Sequence, residues 1–227
     1  MTIWAIVPAA GIGLRLGSTI PKQYLPLRGK PVLLHSLEKL AALEGVASIV
    51  VPVHSEDRWH TALSVEGAGL EFIAGGDERQ FSVLNALHHI ADRAAADDWV
   101  LVHDAVRPCV LVADIRNLLQ AVSQHDCGGL LGAPVVSTLK RVDGNKLVQE
   151  TLDRKDCWQA YTPQAFRYGL LTQALEAAVT NNVAVTDEAS ALESAGFQPM
   201  LVEGDHLNIK ITHESDLLLA AMILQQQ

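Results

Sequence analysis

Cysteine is scarce in this 227-residue chain, which contains three. Cys109, Cys127 and Cys157 form no close pair and lack the spacing of a metal site, so we expect reduced thiols. No apolar run reaches the length of a membrane span, and the N-terminus lacks the basic start and apolar core of a signal peptide. These absences exclude a disulfide scaffold and a membrane-spanning protein, and they predict a cytoplasmic location.

Acidic residues are absent from the first 37 positions, although the whole chain has a net charge of −9. Glu38 is the first of them, and four cations precede it: Arg15, Lys22, Arg28 and Lys30. The overall negative charge argues against a nucleic-acid partner, which would need a basic face. A small anionic ligand needs only a local cluster of cations, and the N-terminal region supplies one.

The common motifs of nucleophilic and metal catalysis are also missing. The sequence has no His-Glu-x-x-His helix and no Gly-x-Ser-x-Gly elbow. Transfers of phosphoryl type depend mainly on positioning and charge stabilisation. A phosphate monoester attacks without a general base, because its second pKa of about 6 leaves it mostly ionised at pH 7. The missing nucleophile is therefore consistent with chemistry at phosphorus.

A loop of small residues, Pro8-Ala9-Ala10-Gly11-Ile12-Gly13-Leu14-Arg15, follows the apolar run 3–7. We expect this run to be a buried strand, and small side chains let a ligand approach the backbone N–H groups of the loop. With Arg15 and Lys22 close by, the loop is suited to a polyphosphate. The glycine pattern alone is a weak signal, because it lacks the third glycine of a dinucleotide fingerprint and the Walker Gly-Lys-Ser/Thr. The alternative is therefore an ordinary strand-to-helix turn with solvated cations.

Strand-like and helix-like segments alternate along a chain long enough for one α/β domain spanning 1–227. This rhythm predicts a Rossmann-like, mostly parallel sheet flanked by helices on both faces. Ligands of such sheets bind beyond the carboxyl ends of the strands, where we expect the loops 8–15, 75–82 and 104–108. We predict strands at 3–7, 48–53, 70–73, 99–103, 129–134 and 209–211, and helices at about 31–43, 82–95, 112–123, 166–179, 187–195 and 213–226, with Thr186 as an N-cap.

Two of these loops carry residues that are suited to binding a metal ion or a base. Asp104 follows an apolar strand and is a candidate ligand for Mg²⁺, which takes one or two protein carboxylates plus phosphate oxygens. The alternative is an aspartate that caps the loop. The stretch from Gly75 to Ser82 could surround a base with backbone groups and the Ser82 hydroxyl, or it is a plain turn in which Asp77 caps the next helix.

The α/β rhythm breaks at Thr138–Thr151, which has the pattern of a β-hairpin turning at Asp143-Gly144 or Gly144-Asn145. A lone hairpin is marginally stable in water, so it should pack against something. It packs either on its own domain or, as a protruding arm, on a partner subunit.

Eight motifs in order resemble those of the 2-C-methyl-D-erythritol 4-phosphate cytidylyltransferases, and together they span nearly the whole chain. They are Pro8-Ala9-Ala10-Gly11-x-Gly13-x-Arg15, Pro21-Lys22-Gln23-Tyr24, Gly75-Gly76-Asp77-Glu78-Arg79, Val102-His103-Asp104-Ala105-Val106-Arg107-Pro108, Thr138-Leu139-Lys140-Arg141, Thr162-Pro163-Gln164, Thr186-Asp187-Glu188-Ala189 and Asn208-Ile209-Lys210. The resemblance implies a fold of the nucleotide-diphospho-sugar transferase type and a homodimer joined through an arm at about 137–157.

The resemblance also implies a reaction between CTP and methylerythritol phosphate, with Mg²⁺ bridging the nucleotide phosphates. The implied roles fall into four groups. Arg15 and Lys22 would be catalytic; Ala9, Ala10, Gly11, Gly13, Gly76, Asp77, Ser82 and Ala105 would bind the nucleotide; Asp104 would hold the metal; and Arg107, Thr138, Thr162, Thr186 and Lys210, with Arg154 of the other subunit, would bind the polyol phosphate.

One position departs from the family pattern, and three rival functions remain. The family usually has Asp directly before Asn-Ile-Lys, where this chain has Leu207, and Asp205 lies two residues earlier. Rival functions are a cytidylyltransferase acting on ribitol 5-phosphate, a dinucleotide-dependent oxidoreductase, and an inactive nucleotide sensor. The first would share the nucleotide half of the site, and the missing third glycine speaks against the second.

Overall fold

The computed structural model describes residues 2–11 and 20–227. Within these residues, seven strands form one sheet and two further pairs of strands form small ribbons. In chain order the elements are β1 (Ile3–Ile6), β2 (Pro26–Leu27), β3 (Lys30–Pro31), α1 (Val32–Ala41), β4 (Val46–Val53), β5 (Gly69–Ala74), α2 (Arg79–His89), β6 (Trp99–Val102), α3 (Val112–Val122), β7 (Gly128–Pro134), β8 (Leu139–Val142), β9 (Val148–Leu152), β10 (Trp158–Arg167), α4 (Tyr168–Thr180), α5 (Glu188–Ser194), β11 (Met200–Glu203) and α6 (Glu214–Ile223).

The large sheet has the strand order β11-β7-β10-β6-β1-β4-β5. Strands β6, β1, β4 and β5 are parallel neighbours, and β11 is parallel to β7. Strand β10 lies between β6 and β7 and is antiparallel to both. The prediction of a mostly parallel sheet is confirmed.

Both faces of this sheet are covered, as the side chains of β1 show. Ile3 and Ala5 pack into one hydrophobic cluster with residues of α1 and α3. Trp4 and Ile6 pack into a second cluster with residues of α2, α4 and α5. Successive side chains of a strand point to opposite faces, so helices cover the sheet on both sides as predicted. Burial on both faces explains why β1 is apolar throughout rather than alternating.

Strand β10 is the main element that the sequence analysis missed. We predicted a helix from Phe166, whereas the strand runs to Arg167 and α4 begins at Tyr168. Pro163 lies inside the strand, and proline is normally excluded from a central strand because it has no N–H group. Here it falls where the pairing with β7 is irregular, between Ala160 and Gln164, so the missing donor is tolerated.

Other element predictions need smaller corrections. Helix α2 runs from Arg79 to His89, earlier at both ends than expected, and the edge strand β11 was not predicted. Residues 209–211 form no strand, although the Ile211 N–H donates to the Val106 carbonyl at 2.9 Å. The N-cap of α5 is Asp187 rather than Thr186, because the Asp187 carboxylate accepts the Ser190 N–H.

The predicted hairpin arm is present as β8 and β9. Its turn centres on Gly144-Asn145, since the Lys146 N–H donates to the Asp143 carbonyl at 3.0 Å. Both strands are largely exposed, including Val142 at 49% and Val148 at 60%. The hairpin is therefore not packed on its own domain, which removes one of the two alternatives.

The thiols are reduced, as predicted, and the helices in the described residues are too short or too polar for a membrane. Cys109, Cys127 and Cys157 are all free, and the first two are buried. Across 2–11 and 20–227, none of the helices combines the length and the apolar character needed to cross a membrane.

Close packing around β7 gives a test of the sheet. Gly128 has φ +119°, and a Cβ at this position would overlap the Ala165 carbonyl oxygen of β10. We expect Gly128→Ala to lower the free energy of unfolding by about 2 kcal/mol or more, because backbone rather than a flexible side chain must shift. Chemical denaturation measures this, with Gly144→Ala as the matched control, since a Cβ there meets nothing within 4 Å. Equal stability of the two variants would contradict the packing described for β7.

Candidate active site

Three loops at the carboxyl ends of parallel strands converge on one pocket, as predicted. The loops follow β1, β5 and β6, and a lysine from the segment after β11 completes the wall. We call this the first pocket; its lining is Pro8, Ala9, Ala10, Gly11, Lys22, Gln23, Gly76, Asp77, Glu78, Arg79, Ser82, Asp104, Ala105, Val106 and Lys210. All nucleotide-binding candidates that the structure describes are in this lining, whereas Gly13 and Arg15 lie outside the described residues.

The loop after β1 is fixed at Ala9. The Ala9 N–H donates to the Pro52 carbonyl at 2.8 Å, and its carbonyl accepts from the buried side chain of Gln23 at 2.7 Å. Gln23 thereby attaches the segment that carries Lys22 to the end of β1. Within the part of the chain described, the N–H groups of Ala10 and Gly11 have no acceptor and are available to a ligand.

The loop after β5 is closed on itself. The Ser82 hydroxyl, which is buried, accepts from the Gly76 N–H at 3.0 Å. A Cβ on Gly75 would lie 2.5 Å from the Ala10 methyl carbon, so glycine allows the two loops to touch. The alternative role of Asp77 as an N-cap is wrong, since Glu78 holds that position without a side-chain bond. Asp77 remains exposed at the pocket.

Asp104, at the end of β6, is a buried carboxylate surrounded by cations. Its Oδ1 atom accepts from Arg79 Nε at 3.3 Å, and its Oδ2 atom from Lys210 Nζ at 2.8 Å and Arg107 Nε at 3.4 Å. Burial alone would raise the pKa of Asp104. The positive charges of Arg79, Lys210 and Arg107 outweigh it and hold the pKa well below the ordinary range. Asp104 is therefore ionised near neutral pH.

Arg79 and Glu188 join this group, and the sequence analysis assigned neither a role. Arg79 Nη1 and Nη2 donate to the two oxygens of Glu188 at 2.6 and 3.0 Å. Both residues stand inside motifs quoted above, but they are 109 positions apart and no local pattern links them. We call Arg79, Asp104, Arg107, Glu188 and Lys210 the boundary cluster.

A second pocket adjoins the first across this cluster. It is lined by Arg79, Asp104, Arg107, Ala160, Tyr161, Thr162, Gln164, Thr186, Asp187 and Lys210. Four of the six polyol-phosphate candidates are here, namely Arg107, Thr162, Thr186 and Lys210. Arg79, Asp104 and Lys210 line both pockets, so ligands bound in the two would meet at these side chains.

The other two candidates, Thr138 and Arg154, line neither pocket. Both are exposed at the base of the hairpin arm, where Thr138 lies just before β8 and Arg154 just after β9. Within one chain the structure does not bring them to the site.

The Thr162 hydroxyl is already engaged within the protein. It accepts the Asp104 N–H at 2.9 Å and lies 3.1 Å from His103 Nδ1, while His103 Nε2 lies 3.1 Å from the Arg107 carbonyl. Burial of His103 lowers its pKa from 6.5 to about 4, so the ring is neutral at pH 7. This network holds the loop that presents Asp104 and Arg107.

Hydrogen bonds to β10 and to Arg107 fix the segment that carries Lys210. The Asn208 amide donates to the Thr162 carbonyl at 2.9 Å, and Arg107 Nη1 donates to the Asn208 carbonyl at 2.7 Å. Arg107 also stacks over the Tyr161 ring, with 5.0 Å between the guanidinium carbon and the ring centre. Lys210 thus reaches Asp104 from an irregular segment and not from the strand we predicted.

Two adjacent pockets that share cations and a carboxylate suit the joining of two anionic substrates. The model of the 2-C-methyl-D-erythritol 4-phosphate cytidylyltransferase family matches residues 3–226. The chain belongs to this family. It is therefore a nucleotidyltransferase, and the oxidoreductase alternative is not supported.

Individual relatives agree with this family. The cytidylyltransferase of Hahella chejuensis is 47% identical over 225 residues, covering 99% of this chain and 93% of the relative. That of Vibrio vulnificus is 43% identical over 224 residues, covering 98% and 94%. The crystal structure of the Francisella tularensis cytidylyltransferase has a TM-score of 0.86 at 38% identity, covering 98% of this chain and all of that one.

The departure from the pattern of these cytidylyltransferases can now be located. The Asp205 carboxylate accepts the Leu207 N–H at 2.8 Å and so stabilises a turn. Asp205 lines neither the first nor the second pocket. In this structure it does not replace the carboxylate usually found at position 207.

Buried, neutral His103 predicts a pH-dependent stability. The unfolded chain takes up a proton on His103 as the pH falls below about 6.5, whereas the folded protein resists until about 4. Its contribution to stability is therefore present above this window and lost as the pH falls through it, by about 3 kcal/mol. We expect the free energy of unfolding of wild type to drop more steeply than that of His103→Gln between these pH values.

Denaturant unfolding at several pH values measures this difference. His206→Gln is the matched control, because the His206 side chain is 82% exposed. Parallel pH profiles of wild type and His103→Gln would contradict the prediction.

Proposed function

We propose that this chain transfers the cytidylyl group of CTP to 2-C-methyl-D-erythritol 4-phosphate, in the synthesis of isoprenoid precursors. The products are 4-diphosphocytidyl-2-C-methyl-D-erythritol and pyrophosphate. The observation that carries the proposal is the pair of pockets meeting at Arg79, Asp104 and Lys210. The family match supports methylerythritol phosphate over ribitol 5-phosphate as the acceptor.

In the proposed reaction an oxygen of the substrate phosphate attacks the α-phosphorus of CTP in line. The bond from the α-phosphorus to the bridging oxygen breaks, and pyrophosphate leaves with the electron pair. The attacking phosphate is already ionised, so the site needs no general base. What the protein supplies is alignment and positive charge.

The first pocket provides both for the nucleotide. We propose that the N–H groups of Ala10 and Gly11 bind the phosphates, beside the fixed residue Ala9. Lys22 lines the same pocket and supplies a positive charge. Gly76, Asp77, Ser82 and Ala105 surround the remaining space, where we place the cytosine. Arg15 is proposed to share the charge stabilisation with Lys22.

The second pocket provides for the phosphate of the acceptor. Arg107 and Lys210 supply positive charge, and Thr186 lies exposed on its rim. We propose that Thr162 mainly positions Asp104, because its hydroxyl already accepts the Asp104 N–H. Lys210 lines both pockets and can therefore act on the phosphates of both substrates.

Mg²⁺ is the proposed cofactor, with Asp104 as its protein ligand. Across 2–11 and 20–227 there is no group of three or more His, Cys, Asp or Glu that could hold a metal. A single ionised carboxylate fits a magnesium ion that is carried mainly by phosphate oxygens, which is the usual arrangement. Bound there, the ion would offset negative charge on the triphosphate.

The arm is proposed to form a dimer. Its exposed apolar side chains include Leu147 at 62% and Val148 at 60%, and a solitary hairpin needs such a surface covered. Two arms clasped about a two-fold axis would bury it. In that arrangement Arg154 completes the second pocket of the partner.

One assay tests the function. Purified protein is given CTP, Mg²⁺ and either methylerythritol phosphate or ribitol 5-phosphate, and pyrophosphate release is followed. We expect release with the first acceptor, abolished by EDTA and restored by excess Mg²⁺. Release with ribitol 5-phosphate alone would transfer the assignment to the sister enzyme.

Lys22 should act mainly on kcat, because its charge opposes charge that grows in the transition state. We expect Lys22→Ala to lower kcat by about 100-fold or more. Lys22→Arg should not restore it fully, since a planar fork differs from a compact ammonium. Lys39→Ala is the control, because Lys39 lies on α1 outside both pocket linings. A folded Lys22→Ala enzyme with near-normal kcat would rule out this role.

Shared sites predict complementation between variants. Lys22→Ala and Arg154→Ala homodimers should each be nearly inactive. A mixed dimer has one site with both defects and one site with neither. Random pairing makes about half of the dimers mixed, so activity should recover to about a quarter of wild type, given isologous pairing. Mass-tagged chains establish that subunits exchange, and exchange without recovery would place Arg154 in the site of its own chain.

A further inference from the structure

We propose that Glu188 is a positioning residue that keeps Asp104 accessible to the metal–triphosphate. It does so by holding the two terminal nitrogens of Arg79, which would otherwise pair with Asp104. This inference rests on the proposed function and assigns a role to a residue outside the substrate contacts given above.

Glu188 is rigidly placed. It is the first residue of α5 and 1% exposed. The start of α5 is fixed on β10 by Gln164, which donates to Asp187 at 2.9 Å and accepts the Ala189 N–H at 2.8 Å. Its carboxylate also lies in the first turn of the helix, where negative charge is favoured.

The grip on Arg79 decides which donor faces Asp104. Both terminal nitrogens of Arg79 are used by Glu188, so Arg79 offers Asp104 only its Nε, at a long 3.3 Å from Oδ1. Lys210 and Arg107 donate to the other oxygen, Oδ2. An arginine whose terminal nitrogens are free pairs with a carboxylate through two short parallel bonds. Without the Glu188 carboxylate, Arg79 would form such a two-bond pair with Asp104 instead. It would then occupy Oδ1 of Asp104, the oxygen that we propose for the metal.

The charge of the boundary cluster changes at the same time. Arg79, Arg107 and Lys210 give three positive charges, and Asp104 and Glu188 give two negative ones, a net charge of +1. Neutralising Glu188 raises this net charge to +2. A triphosphate without metal should then bind more tightly, while the metal should add less to its binding.

Equilibrium binding of CTP, with and without Mg²⁺ and without acceptor, tests these opposite signs. For Glu188→Gln we expect metal-free CTP affinity to rise about 3-fold. We expect the enhancement of CTP affinity by Mg²⁺ to fall about 10-fold relative to wild type. A merely structural role would weaken binding under both conditions by the same factor.

Two further variants sharpen the result. Glu71→Gln is the matched control, because Glu71 holds Arg93 through the same two-bond geometry, at 2.9 and 2.9 Å, away from both pockets. It should leave the Mg²⁺ enhancement unchanged. Glu188→Asp keeps the charge but shortens the reach, so it should lose part of the enhancement without the rise in metal-free affinity. It also serves as the test if Glu188→Gln does not fold.

The outcomes separate this inference from the function it rests on. An unchanged Mg²⁺ enhancement, or equal weakening with and without metal, in variants of a wild type that binds CTP and releases pyrophosphate overturns the role of Glu188 alone. A wild type that does not bind CTP overturns both.

Discussion

The buried carboxylate of Asp104 is the constraint on which the architecture of the site depends. A charge removed from water must be paired and hydrogen-bonded, or the folded state is destabilised by several kcal/mol. Its partners come from α2, from its own loop and from the segment before α6, through Arg79, Arg107 and Lys210. Segments distant along the chain must therefore meet at the end of β6, and their meeting forms the wall between the two pockets.

The reversed direction of β10 explains why the second pocket and the arm lie at the same edge of the sheet. Gln164 pairs with Val102, at the carboxyl end of β6, and Arg167 pairs with Trp99 at its start. The residues of β10 before Gln164 therefore reach the edge where the parallel strands end. Pro134 of β7 pairs with Trp158, so the arm between them leaves from that edge too. An arm that carries Arg154 thus starts beside the site, which is the geometry a shared site requires.

The parallel strands and the first pocket could be predicted from the sequence, because each signal is local. An apolar run followed by small residues or by an aspartate identifies β1 and β6 together with their ligand-facing ends. Strand β10 could not be predicted, since Pro163 and its polar neighbours match no strand pattern until β6 and β7 pair with it. The pairing of Arg79 with Glu188 is likewise a property of the fold, because it joins the first residues of two helices distant in sequence.

The negative net charge of the chain and its proposed anionic substrates are compatible because the field of the site is local. Acidic side chains outside the cluster such as Glu38 and Glu176 are exposed to water and therefore screened, whereas the boundary cluster carries a net positive charge at a partly buried wall. Asp104 and His103 both have lowered pKa values, so the first stays charged and the second neutral near pH 7. The protein charge facing the substrates is thereby set in advance, and preorganised charge is what a reaction between two phosphates needs most. The substrate phosphate ionises with a pKa of about 6, so near neutral pH its charge changes with pH while the charges of Asp104 and His103 do not.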